Sequence, residues 1–436
     1  MALTFSGGLD LQKSRKASLN RITALPTPRY ITLDCSGDKN AAFKPFLAVG
    51  EHVNAYQCVG ERVFGDGSVP VYSGISGTVK EIVAGADGQP SGMIIGYEEK
   101  QQKAEIKGYG GTLAELTPEK ITEIVKNAAI PCRGSYGFAY KRLQAASGKL
   151  KRFILNCCES EPGLTSRSAV ITDDVDAVLN GAKIIMHALD IRNCEIAVER
   201  ENGPVIDLIS SKIKRNSLFS IRKTKQKYPQ DEEIALIYAI CGVQALDADE
   251  PERTKCAVFD AETAADVYRA VVYGVPYCER VVTVESENLL CPIGAPVLDL
   301  LEFCNVHAET AVKIISGGPL RGEVLKKLDE PVRPDSSAIT VIYEGDGSPI
   351  PEMTQCNLCG RCVNVCPSRI IPYKLAELSR QKKYSKCADY GISACCECGC
   401  CDYVCPAYIP IKKLIRTAKH KKTAPKRDKN ETDKPV

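Results

Sequence analysis

The sequence predicts a multidomain protein of mixed α/β class that ends in a small cysteine-rich unit. Three observations carry that prediction. The 436 residues leave room for two to four domains at about 100–200 residues each. Residues 28–100 alternate apolar and polar side chains between glycine turns, whereas residues 110–250 alternate helical and strand periods. Near the end, "CNLCGRCVNVCP" and "CCECGCCDYVCP" repeat one cysteine spacing.

Composition narrows the class. Hydrophobic content is 44% and charged content 25%, ordinary for a globular chain. No apolar run reaches the ~18 residues that a membrane-spanning helix needs. The start, "MALTFSGGLDLQKSRK", lacks the apolar stretch of a secretory signal. The expectation is a cytoplasmic protein, free or held at the inner face of the cell membrane through partner subunits. A net charge of +3 gives no ground for nucleic-acid binding.

Taken in order, residues 1–27 hold "FSGG" and a basic, polar stretch, and read as an extended arm. Residues 28–105 carry "FLAVGEHVNAYQCVGERV" and "VPVYSGISGTVKEIV", a pattern that resembles the hammerhead of biotinyl and lipoyl carriers. The lysine those carriers modify is absent from the tight turn, so an unmodified barrel-sandwich domain is expected. Within residues 106–252, "TPEKITEIVKNAA" reads as a helix opened by Thr117 with Pro118 in its first turn. "KRFILNCC" and "NCEIAVER" read as strands, with "DDVDAVLNGAKIIMHALD" and "PVIDLISSKIKR" as the helices after them. Such alternation predicts a parallel sheet. Residues 253–325 continue as a compact mixed unit. Residues 326–352, rich in Pro and Asp, read as a linker containing one strand. Residues 353–415 form the cysteine unit, and 416–436 a basic disordered tail.

Cysteine is the anomaly, at 22 residues. A long chain with no signal is not an extracellular disulfide scaffold, so metal binding in a reducing compartment is the better reading. Each run fits C-x2-C-x2-C-x3-C-P, the two-cluster pattern in which the fourth cysteine ligates the other cluster. Three close cysteines wrap three corners of a cubane, and the fourth corner needs a ligand from elsewhere. One [4Fe-4S] cluster is therefore assigned to Cys356, Cys359, Cys362 and Cys405. The other takes Cys395, Cys398, Cys401 and Cys366. A pair of zinc sites is the competing reading, but zinc usually takes its cysteines as two pairs, not as overlapping triplets. Cys396 and Cys400 cannot keep the pattern in a shifted register and are read as non-ligands, with Cys387 unassigned. Of the other eleven cysteines most read as small buried hydrophobes; Cys132 and the adjacent Cys157 and Cys158 stand out. The four histidines are scattered without metal-like spacing.

"NCCESEPG" places Asn156, Glu159 and Glu161 after a strand, where open α/β sheets bind ligands. From here the chain resembles a family. "TFSGG", the hammerhead, "NCCESEPGLT", "YPQDEE", "GVPYCERVVTV", "ISGGP" and both cysteine runs are similar to the RnfC family, which contributes to the Rnf ferredoxin:NAD oxidoreductase. That family is related to the flavin- and NADH-binding subunit of respiratory complex I. The resemblance implies a barrel-sandwich hammerhead, a flavin-type α/β domain, a β-grasp (SLBB-like) domain and a two-cluster ferredoxin domain. It also implies an FMN/NADH-type site including Asn156, Glu159, Glu161, Gly134, Gly137 and Phe138.

The departures fall on the nucleotide half. The family's loop G-x-G-G-A-A/G-F-P appears as "CRGSYGFA": Cys132, Ser135 and Ala139 replace two glycines and the proline, and Tyr136 stands where alanine is usual. Glycines there let backbone approach phosphate or a flavin ring. "YPQGGEK" appears as "YPQDEEI", so Asp231 and Glu232 add negative charge where an anionic dinucleotide would lie. These changes leave FMN open and count against NADH. The first reading is a relay of single electrons to or from a partner oxidoreductase: the Rnf membrane subunits, a ferredoxin-like protein, or a soluble reductase such as D-proline reductase. The alternatives are an NADH:acceptor oxidoreductase subunit that uses FMN to split hydride into single electrons, and a redox sensor or scaffold. A redox-active thiol is a further idea if Cys132 lies near Cys157 or Cys158.

Overall fold

The structure, a computed structural model, describes residues 2–11, 21–35, 41–65, 67–85, 87–132, 137–146, 148, 150–213, 218–244, 254–345 and 352–423. After the two-residue strand β1 (Thr23–Ala24) come β2 (Tyr30–Asp34), β3 (Ala42–Pro45), β4 (His52–Val53), β5 (Cys58–Phe64), β6 (Gly67–Tyr72), β7 (Gly77–Ala84) and β8 (Pro90–Tyr97). They form two antiparallel sheets, β2-β8-β7-β4 and β3-β5-β6. Alternation does the sorting: successive strand residues face opposite sides, and Ile31, Leu33, Val53, Val59, Met93 and Ile95 share one buried cluster.

The next layer is a parallel sheet. Its strands are β9 (Arg152–Asn156), β10 (Cys194–Glu199), β11 (Phe219–Thr224) and β12 (Cys256–Asp260), in the order β11-β10-β9-β12. Helix Pro118–Asn127 precedes it, and the Thr117 side chain accepts the Lys120 N–H at 3.2 Å, as the capping pattern predicts. From β9 the chain builds β10 and β11 to one side, then crosses to lay β12 on the other. The strand order therefore reverses between β9 and β12, and their carboxyl ends open the crevice where such sheets take ligands. The boundary expected at 252/253 falls inside this layer. β12 pairs with β9 along its length, and helix Ala261–Tyr273 buries Ala264, Val267 and Val271 in the same core.

A six-stranded sheet follows, ordered β1-β14-β13-β17-β15-β16, from β13 (Glu279–Val284), β14 (Glu287–Pro292), β15 (Ala311–Ser316), β16 (Glu323–Val324) and β17 (Ala338–Tyr343). The segment expected as a linker supplies β17, which lies between β13 and β15 and buries Ile339 and Val341. The cysteine unit consists of short helices Arg361–Asn364 and Cys400–Tyr403 and longer ones Pro372–Arg380 and Ile411–Thr423. The tail expected from 416 is helical through 423: Ile411, Ile415 and Ala418, spaced four and three apart, face the core. Residues 424–436 lie outside the described residues. The expected extended arm is docked: Leu3 bridges to Thr224, Leu9 to Tyr228, and the Gly8 N–H donates to the Val365 carbonyl at 2.8 Å. Among the described residues no helix is long and apolar enough to cross a membrane.

Candidate functional site

At the crevice, Asn156 ends β9 opposite Asp260, which ends β12. The Asn156 amide donates to Asp260 Oδ1 at 2.7 Å and to the Asp231 carbonyl at 2.9 Å. The Glu159 carboxylate accepts the backbone N–H groups of Arg167 (2.9 Å) and Ser168 (3.2 Å), at the start of helix Ser166–Asp173. Glu161 accepts those of Leu320 (2.7 Å) and Arg321 (2.8 Å). All three predicted side chains are buried. The structure brings them to one crevice, but each is already engaged by the chain itself. N–H groups at a helix start are natural anion receivers; here Glu159 fills that role.

Asp231, which departs from the family's glycine, has its own cation. The Arg321 guanidinium reaches its two oxygens at 2.9 and 3.1 Å and Glu232 at 3.3 Å. Burial alone would lower Arg321, but Asp231 first, then Tyr228 and Glu232, hold it well above its ordinary value. The excess negative charge expected from Asp231 and Glu232 is therefore balanced. Arg321 escapes a sequence reading because it lies 90 positions from Asp231; no local pattern marks such a pair. Arg167 similarly joins Asp260 (3.1 Å) and Glu262 (2.7 Å).

Gly137 adopts a left-handed φ of 67°, and a Cβ there would meet nothing within 4 Å, so the chain leaves room at this point. Phe138 is partly buried and stands edge-on to Phe64 at 5.8 Å. Gly134, Ser135 and Tyr136 lie outside the described residues. Cys132 lies beside the buried Arg142 guanidinium. Burial pushes the thiols of Cys157 and Cys158 up, and the Cys158 sulfur lies 3.3 Å from the Thr224 hydroxyl. Both are thus held as thiols at neutral pH, which removes the thiolate character a redox role requires.

The two cysteine runs share one backbone design. Leu358 (φ 57°) and Gly360 (73°) in the first match Glu397 (54°) and Gly399 (78°) in the second, each ahead of a single-turn helix. The loops exchange their last cysteines. Cys366, from the first run, lines one cavity with Cys395, Cys398 and Cys401 of the second. Cys405, from the second, lies close enough to Cys362 to raise it electrostatically, as does Cys356, although burial is the larger cause. Cys359 is exposed. Cys396 and Cys400, read as non-ligands, line the second cavity too. Among the described residues no three His, Cys, Asp or Glu side chains converge as ligands of a single metal ion.

Burial pushes Cys395 up to about 12 and Cys366 to about 11, and Cys401 is raised by burial, then Asp402, then Cys395 and Cys366. Four thiolates there would repel one another in a poorly solvated space. A cationic metal–sulfide core between them would reverse that penalty, since a coordinated thiol is deprotonated outright. The donor set thus fits an iron–sulfur group.

The second loop abuts the crevice. The Tyr228 hydroxyl donates to the Cys398 carbonyl, and the Arg321 guanidinium stacks on the Tyr228 ring at 5.2 Å. Lys412 Nζ donates to the Leu320 carbonyl at 2.7 Å. Leu9, Tyr228, Leu320, Cys398 and Cys400 pack in one apolar cluster.

Comparison with known proteins agrees with this layout. The family model described as the RnfC barrel sandwich hybrid domain matches residues 3–95, and the Nuo51 FMN-binding domain matches 125–269. The chain is 29% identical to the RnfC-type component of the Na(+)-translocating ferredoxin:NAD(+) oxidoreductase complex of Acetobacterium woodii, covering 88% of this chain and 89% of that one. It is 28% identical to the corresponding component of the proton-translocating ferredoxin:NAD(+) oxidoreductase complex of Clostridium ljungdahlii, covering 89% and 87%. A crystal structure of an air-oxidized NAD+-reducing [NiFe]-hydrogenase aligns with a TM-score of 0.49 and 13% identity, over 86% of this chain and 79% of that one; at that distance the likeness bears no functional weight.

Proposed function

The chain is of the RnfC type, and from that premise we propose that it relays single electrons between the crevice of its FMN-binding-type domain and a partner oxidoreductase, through two [4Fe-4S] clusters. Cys356, Cys359, Cys362 and Cys405 would hold one; Cys395, Cys398, Cys401 and Cys366 the other. The observation that carries this reading is the exchange of the fourth cysteines, with the second loop seated against Tyr228 and Arg321 at the crevice. Two adjacent clusters suit relay, and the chain's part is to hold them in place, exclude water from the inner loop and fix the outer one at the surface. The six-stranded sheet is read as the β-grasp domain and residues 353–423 as the ferredoxin-like unit. The relatives named above are components of ion-translocating complexes, which favours such a complex as partner over a soluble reductase.

One observation favours a second reading. The match of residues 125–269 to an FMN-binding domain supports FMN in the crevice, where it would switch between hydride and single electrons. Against ordinary NADH oxidation stand Glu159 and Glu161, which occupy two pairs of anion-receiving N–H groups. Anaerobic reconstitution with iron, sulfide and flavin analysis tests both readings. About eight irons per chain and no bleaching by NADH or NADPH are expected. Isoalloxazine bands that NADH bleaches establish the second reading; bound zinc, or about four irons, overturns the first.

A further inference from the structure

We propose that the rim of the first cysteine run is the docking face for the acidic surface of a small one-electron carrier protein. The inference rests on the reading of that run as a cluster site, and it names the entry point and the chemistry of the partner.

The first observation is exposure. Leu358, between Cys356 and Cys359, is 70% exposed, Met353 is 55% exposed and Tyr408 is 46% exposed. The chain gathers them around the candidate ligands. The Thr354 N–H donates to the Ala407 carbonyl at 3.0 Å, which lays Met353 beside Tyr408. The Tyr408 N–H in turn donates to the Cys405 carbonyl at 3.1 Å. Isolated exposed apolar residues are ordinary, but three of them ringing an exposed cysteine of a metal loop form an interaction patch.

The second observation is charge. Residues 353–421 carry twelve Lys and Arg against four Asp and Glu, whereas the whole chain is nearly balanced at +3. Three of the four acids are already engaged: Glu397 by Arg416 and Lys419, Glu377 by Lys374, and Asp402 by the Lys412 N–H. The cations reach the patch itself. Arg380 Nη2 lies 2.8 Å from the Met353 sulfur, and exposed Arg361 follows Gly360 directly. An apolar centre inside a cationic ring selects a partner with an acidic rim, and such complementarity sets on-rate and orientation. An anionic lipid surface satisfies the charge but cannot supply an electron to the exposed thiolate side. A protein carrier can: it loses one electron, the centre gains it, and no proton moves.

The test uses the full chain, reconstituted anaerobically, with a reduced clostridial two-cluster ferredoxin as probe. Affinity is measured by calorimetry and cluster reduction by stopped flow, with methyl viologen radical as a donor that needs no docking. The Arg361→Glu/Arg380→Glu double variant is expected to weaken ferredoxin binding about tenfold or more and to slow its electron transfer alike. Met353→Asp should weaken both less. Viologen should reduce every variant at the wild-type rate, showing that the clusters are intact, and raising the salt should weaken only the wild-type complex. Ferredoxin binding unchanged in the double variant overturns the proposal. So does a wild-type patch that instead binds phosphatidylglycerol vesicles or a second copy of the chain, with the double variant losing that contact. A wild-type protein that viologen cannot reduce overturns the underlying cluster reading, and the docking proposal with it.

Discussion

The two cysteine loops have one backbone and opposite surroundings. Gly360 and Gly399 both turn left-handed, yet a Cβ on Gly360 would meet nothing, whereas one on Gly399 would lie 2.8 Å from the Leu320 carbonyl oxygen. Cys359 is exposed where Cys398 is buried. Leu358 points to solvent where Glu397 is gripped by Arg416 at 2.6 Å and Lys419 at 3.3 Å. The cysteine spacing sets what each loop can hold; its neighbours decide what it can meet. One loop faces outward and the other faces the crevice, and that polarity gives a relay its two ends.

The exchange of cysteines is the part of the comparison that breaks most visibly. Cys366 lies in the first run but lines the second cavity. Cys366→Ala should therefore cost half of the roughly eight bound irons and remove the inner cluster's electron paramagnetic resonance signal, leaving the outer one. Cys359→Ala should do the converse. If Cys366→Ala removed the outer signal instead, each run would hold its own cluster and the crosswise assignment would fail.

The inner loop's mooring is the next target. Arg321→Met leaves Asp231, which is 5% exposed, without its buried cation. Stability should fall by about 3 kcal/mol, read as a lower midpoint in chemical denaturation, because the uncompensated carboxylate stays buried. Adding Asp231→Asn should restore most of the loss. A single variant as stable as wild type would show that Asp231 finds water or another donor.

Legibility in the sequence follows the same division between local and distant. The ligand cysteines are readable because a cubane's spacing is written in twelve consecutive residues. The hammerhead and the parallel sheet are readable because their periods are local. What escapes is pairing at a distance. The strand Ala338–Tyr343 is visible in the sequence, but its Pro- and Asp-rich flanks suggest a linker, and only the fold places it between β13 and β15. Cys256–Asp260 reads as part of the following unit because nothing local says that a strand crosses back to β9. Asp231 and Glu232 read as repulsive charge because nothing near them in the chain announces Arg321. The helical end of the chain is recoverable, since Ile411, Ile415 and Ala418 keep a helical spacing beneath a basic composition.

Alanine at the paired glycines measures the contrast directly. Gly360→Ala incurs only the left-handed penalty, about 1 kcal/mol. Gly399→Ala adds a collision with the Leu320 backbone, about 1–3 kcal/mol more. Differential denaturation of the two variants tests this, and equal losses would mean that the inner loop is not pressed against residues 318–321.

The smallest effect expected is at Glu397, and its sign with pH is the informative part. Burial tends to raise this carboxyl, but Lys419 and Arg416 outweigh it and hold it below its ordinary 4.5. A carboxylate depressed by folding contributes stability that is complete above the unfolded value and drains away as pH falls below it. Glu397→Leu, which copies Leu358 into the inner loop, should therefore cost about 1 kcal/mol near neutral pH. The variant and wild type should converge as the pH falls through the carboxylate range. A gap that persists in acid would mean that Glu397 acts through packing against the helix Ile411–Thr423 and not through its charge, and that the inner loop would keep its place without the two cations.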